Sequence, residues 1–199
     1  MANSEDTDTL DSNRDIAEVI GDPDFWLSLF GSIVWARVGG EFVTLYGRAI
    51  EGAEMLENQR SLLGPFSEEI QEAARDVTSF LIYSHALIDE LMLHIVHTEV
   101  IAASKQTKKT RETLDNALNY HQRRDLLFHS GVIDTGTNGE LKKVGSIRNS
   151  LVHELNDRLS PRNIGSAGAG KEVERTGRAL EQLLESYYES SSSEKFDRD

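Results

Sequence analysis

Arg148 and His153, with Asn149 directly after the arginine, are the residues best placed by type and spacing to do chemistry in this chain. An arginine offers a permanent charge and a planar fork that matches a carboxylate or a phosphate, while an imidazole gains and loses protons close to neutral pH. Leu141, Val144, Ile147, Leu151, Val152 and Leu155 recur three and four apart around them, the pattern of an amphipathic helix. At about 100° of turn per residue, Asn149 and His153 share one flank of that helix and Arg148 falls inside its apolar stripe. A guanidinium cannot shed its charge, so at such a position it needs an acidic side chain or a bound phosphate as partner. The same spacing also fits a structural arginine in a buried ion pair beside a solvent-facing histidine.

The motif helix is expected over about residues 140–156, closed off by Ser160-Pro161 and preceded by a turn-rich loop, Asp134 to Gly139. The acid that could hold Arg148 is expected on the most apolar helix, which spans about residues 67–104 with room for one break. Phe80, Ser84, Leu87, Leu91 and Ile95 form its core stripe, and Asp89 and Glu90 lie close to that stripe. Between these two helices, Lys105 to Lys109 reads as a basic turn. Thr110 or Thr113 is the expected cap of the following helix, which carries Leu114, Leu118, Leu126, Leu127 and Phe128 and stops near Gly131. Upstream, Asp22-Pro23 reads as the cap and first position of a helix that Gly39-Gly40 stops, and a second helix runs from about Glu41 to Leu63. A last amphipathic helix is expected from Lys171 to Tyr188. The resulting division is an acidic disordered N-terminus (1–21), an N-terminal helical hairpin (22–65), a helical bundle (66–190) and a disordered tail (191–199).

The 199 residues carry a net charge of −13 and no cysteine, which excludes disulfides and thiolate metal sites. Residues 105–162 run against this balance with eleven basic and seven acidic side chains, a local net of +4. The motif therefore lies in the one basic region of an acidic chain, an arrangement that favours an anionic ligand. Acids crowd the N-terminus where a signal peptide would need a basic one. Asp89, Glu90, His94 and His97 interrupt the longest apolar run. The expectation is a cytoplasmic chain with no membrane span.

Two other patterns resemble sites. Glu90, His94 and His97 have the spacing of metal ligands on a helix, but no second ligand set accompanies them, so no metal is expected. Gly165 to Lys171 matches the first seven positions of a phosphate-binding loop. The next residue is Glu172 in place of the hydroxyl that would hold Mg²⁺, and no apolar strand precedes it, so no nucleotide cofactor is expected either.

Three segments in order carry a family resemblance: Phe80-Leu-Ile-Tyr-Ser-His-Ala-Leu-Ile-Asp-Glu-Leu91, Asp125-Leu-Leu-Phe-His-Ser-Gly-Val-Ile133 and Val144-Gly-Ser-Ile-Arg-Asn-Ser-Leu-Val-His153. Over roughly residues 67–190 the chain resembles the HEPN superfamily, and its Ile-Arg-Asn-x3-His form is similar to the mannitol operon repressor-like branch. The resemblance implies an all-α, HEPN-like antiparallel helical bundle, here with the N-terminal hairpin added. It implies a metal-independent endoribonuclease, of the kind found among toxins and defence effectors, acting as a homodimer with two motifs facing one cleft. Arg148 would hold the scissile phosphate, Asn149 would position it, and His153 would move protons, with Asp89 or Glu90 orienting the arginine. Lys105, Lys108, Lys109, Arg123, Arg124, Lys142 and Lys143 would bind the RNA, and an antitoxin or regulatory protein would be a second partner. Some toxin members carry Tyr two residues after the histidine, where this chain has Leu155. Other members of the superfamily are non-catalytic and bind RNA or regulatory proteins, which is the alternative expectation.

Overall fold

The computed structural model describes Asp22, Asp24, Trp26 and residues 33–58, 67–153 and 168–196, with side chains over 37–58, 67–151 and 168–188. Its elements, in order, are α1 (Ile33–Asn58), α2 (Glu68–Ile95) continued by a π-helical turn (Val96–Val100), a 3₁₀ turn (Ala103–Lys105), α3 (Lys108–Ala117), α4 (Tyr120–His129), α5 (Thr135–His153) and α6 (Ala169–Phe196). Among the described residues there is no strand, so the all-α class is as expected. The chain divides into two compact units, residues 1–44 and 45–199, a division that falls inside α1. The expected disordered N-terminus and the expected boundary at residue 65 both lie outside the described residues.

In the first unit, Asp22 accepts a hydrogen bond from the Asp24 amide at 2.9 Å, as an N-cap does. Trp26 and Phe42 are fully buried. The expected hairpin turn at Gly39-Gly40 is not there, because α1 runs unbroken through both glycines. Two helical glycines cost roughly 2 kcal/mol against alanine, a penalty that burial of one large side chain such as Phe42 can match.

The second unit is organised around α2. Ser67 caps it by accepting from the Ile70 amide, and Glu68 and Glu69 place negative charge at its positive end. Ile70, Val77, Phe80, Ser84, Leu87, Leu91 and Ile95 recur at helical spacing and are buried. Together with the π turn, this helix is long and apolar enough by length and composition to cross a membrane, which corrects the expectation drawn from its interrupting acids and histidines. In this fold it is the core helix, with α4, α5 and α6 packed against it. The Cβ of a residue replacing Gly52 would stand 2.9 Å from the Ala73 carbonyl oxygen, so the glycine permits the close crossing of α1 over α2.

The elements that carry the site depart from expectation in four places, each traceable to a cap. Thr107 caps α3 in place of Thr110 or Thr113, its hydroxyl accepting from the Thr110 amide. The single helix expected over 110–130 is two helices. The second, α4, starts at an Asn119–Gln122 capping box in which each side chain satisfies the other residue's amide. Gly131, at φ 77°, ends it in the left-handed conformation that favours glycine. The loop expected over 134–139 is the first turn of α5, begun by Asp134 accepting from the Thr137 amide at 2.7 Å. That bond, the leading cause, holds the Asp134 carboxyl below its usual range. Finally, α6 starts at Ala169, where Glu57 accepts from the Gly170 amide, and extends to Phe196 where a tail was expected.

Candidate functional site

The motif sits on α5, whose inner face buries Leu141, Val144, Gly145 and Leu151. Arg148 lies one turn beyond Gly145 and is half-buried. Its Nη1 donates to Asn149 Oδ1 at 3.2 Å, which orients the guanidinium and leaves the Asn149 amide nitrogen to donate elsewhere. His153 closes the helix, and its side chain lies outside the described residues.

The expected partnership of Arg148 with Asp89 or Glu90 is not formed. Arg123, only 5% exposed, takes Asp89 at 3.1 Å and Asp115 at 2.7 Å while also donating to the backbone carbonyls of Leu118 and Asp115. Glu90 is paired with Arg111. Arg148 still reaches Asp89 electrostatically: burial pushes the Asp89 carboxyl up, and the charges of Arg123 and, more weakly, Arg148 pull it back. Among the described residues, the arginines that are not exposed, Arg111, Arg123, Arg124 and Arg175, each hold a carboxylate, with the exception of Arg148.

Beside Arg148 stands an aromatic cluster that sequence reasoning missed. His85 of α2 stacks on Tyr120 of α4 with ring centres 4.4 Å apart, and His121 meets Tyr120 edge-on at 5.7 Å. Tyr120 is buried and its hydroxyl donates to the Leu141 carbonyl at 2.8 Å. The ring packs against α5 at Gly145, where a Cβ would be 2.9 Å from Tyr120 Cε1 and 3.5 Å from His121 Cε1. His85 is lowered to about 4, first by burial, then by the Arg148 charge, then by His121. It is therefore neutral at physiological pH. No side chain or backbone group among the described residues hydrogen-bonds its ring nitrogens.

The cations expected on an RNA surface divide into two groups. Lys105, Lys108, Lys109, Lys142 and Lys143 are exposed, with Lys108 near Glu112 at 3.8 Å and Lys143 on Glu140 at 2.7 Å. Arg123 and Arg124 are a correction: both are buried and neutralised, Arg124 by the adjacent Asp125. Their apolar-face positions on α4 were hidden by the expectation of one long helix, whose register differs from that of the two real ones.

Glu90, His94 and His97 do not converge as ligands. Arg111 occupies Glu90 and approaches His94 Nδ1 at 3.3 Å, while His97 contacts the Thr107 carbonyl oxygen at 3.2 Å. Burial, then Arg111, lowers His94 to about 4. Among the described residues no three candidate ligands gather to hold a metal ion. Compared with known protein families, curated proteins and solved structures, the chain matches none of them.

Proposed function

We propose that this chain is a HEPN-type, metal-independent endoribonuclease, a cytoplasmic homodimer of the toxin or defence kind, which cleaves RNA by attack of its own 2′-hydroxyl. The observation that carries the reading is Arg148: half-buried, oriented by Asn149, beside a neutral imidazole, and without a carboxylate among the described residues. A guanidinium in that condition is poised to take an oxyanion. In the reaction, O2′ bonds to phosphorus as its proton leaves, the P–O5′ bond breaks, and O5′ takes up a proton. Arg148 stabilises the charge that develops on the phosphorane oxygens, Asn149 holds the phosphate and guanidinium in register, and His153 moves a proton. Lys142, exposed on the same helix, would contribute to backbone attraction.

A second reading, a non-catalytic module that binds RNA or a regulatory protein, is favoured by the burial of Arg123 and Arg124, which shrinks the cationic surface. Incubating purified protein with mixed RNA, with and without EDTA, separates the two. Cleavage that survives EDTA and leaves 2′,3′-cyclic phosphate ends supports the nuclease. Retention of RNA in a filter-binding assay without cleavage supports the module.

A further inference from the structure

We propose that His85 is the general base of this site, supplied by the same chain that supplies Arg148. The inference rests on the ribonuclease reading and deepens it by naming the group that removes the 2′-hydroxyl proton. His85 is fixed by its 4.4 Å stack on Tyr120, and Tyr120 is fixed in turn by its bond to Leu141 and its seat on Gly145. The imidazole is thereby locked on three helices, yet its ring nitrogens take no hydrogen bond among the described residues. A side chain held so firmly, with ring nitrogens bonded to no described residue, is open to a ligand hydroxyl.

The surroundings also set its protonation state. Tyr120 from α4 stacks on His85, His121 stands against Tyr120, and Arg148 from α5 reaches His85 through its charge, with Asp89 one turn along its own helix. Burial, then the Arg148 charge, keeps it neutral, with its lone pair unprotonated. A phosphate docked on Arg148 offsets the charge that depresses His85, so the affinity of His85 for a proton rises as substrate arrives. In the balanced step, His85 takes the 2′-hydroxyl proton, O2′ bonds to phosphorus, P–O5′ breaks, and His153 protonates O5′. His85 then gives its proton to water and His153 takes one back, which resets the site.

The test is His85→Phe, which keeps a ring for Tyr120 to stack on and removes both nitrogens. We expect a folded protein with near-wild-type affinity for RNA and cleavage lowered by about 10²–10⁴-fold, the usual contribution of a positioned base. His85→Ala, assayed with added imidazole, guards against misfolding of the Phe variant. Partial recovery of cleavage supports the proposal, and no recovery by a folded Ala variant counts against it. A His85→Phe variant that cleaves like wild type overturns the inference and leaves the nuclease reading standing. A wild-type chain that binds RNA and never cleaves it overturns both.

Discussion

Arg123 Nη1 lies 3.1 Å from Asp89 Oδ1 across the α2–α4 contact, and this ion pair leaves Arg148 without the carboxylate that its position in an apolar stripe calls for. The two arginines thus divide the work that sequence reasoning gave to one. Arg123 ties helices together, and Arg148 keeps its charge for a ligand.

That division sets the first expectation. Arg123→Ala strips a half-buried acid of its partner and should destabilise the fold by about 3–5 kcal/mol. Arg148→Ala breaks no ion pair among the described residues and should cost under about 1 kcal/mol while lowering cleavage about 10²–10³-fold. Urea unfolding read beside an RNA cleavage assay checks both. Equal destabilisation by the two substitutions would return Arg148 to a structural role.

Gly145 is the seat of Tyr120, and a methyl group there would press on the ring at 2.9 Å. Gly145→Ala should therefore cost about 1–3 kcal/mol through overpacking. Gly139, on the same helix, has nothing within 4 Å of its notional Cβ. Gly139→Ala should stabilise by up to roughly 1 kcal/mol through helix propensity alone. Thermal melts of the two variants should move in opposite directions.

Stability should fall with acid between pH 6.5 and 4. His85 and His94 are each lowered from 6.5 to about 4 in the folded chain. Across that window the unfolded chain binds the more protons, so stability is full above pH 6.5 and is lost as pH falls. The slope from each histidine is at most about 1.4 kcal/mol per pH unit. Asp89, pushed up by burial, works in the opposite sense at the acid end. His85→Phe should remove about half of the slope, read as urea midpoints at pH 5, 6 and 7.

If base and acid act within one chain, mixing His85→Phe with His153→Ala protein should restore no cleavage, because every site lacks one of the two groups. A site assembled from both protomers of a dimer would instead regain a complete pair in mixed dimers. Titrating one inactive variant into the other decides between the two arrangements.

Helix type and most helix ends were written locally in the chain. Asp22 and Ser67 cap where a cap residue precedes apolar periodicity, and the stripe from Phe80 to Ile95 is buried as its spacing requires. The Asn119-x-x-Gln122 box was also readable as a helix start, and recognising it would have split the helix expected over 110–130 and put Arg123 and Arg124 on a buried face. The placement of Arg148, Asn149 and His153 on one helix likewise follows from sequence. Which arginine takes Asp89 does not, since residues 89, 123 and 148 are joined only when three helices pack and geometry chooses between two identical charges. The same holds for His85, Tyr120 and Gly145. No spacing rule relates them, and their contact exists because a glycine lets an aromatic ring lie against the backbone of α5. Local hydrogen bonding and periodicity decided the helices, and close packing between them decided which polar groups were left free to act.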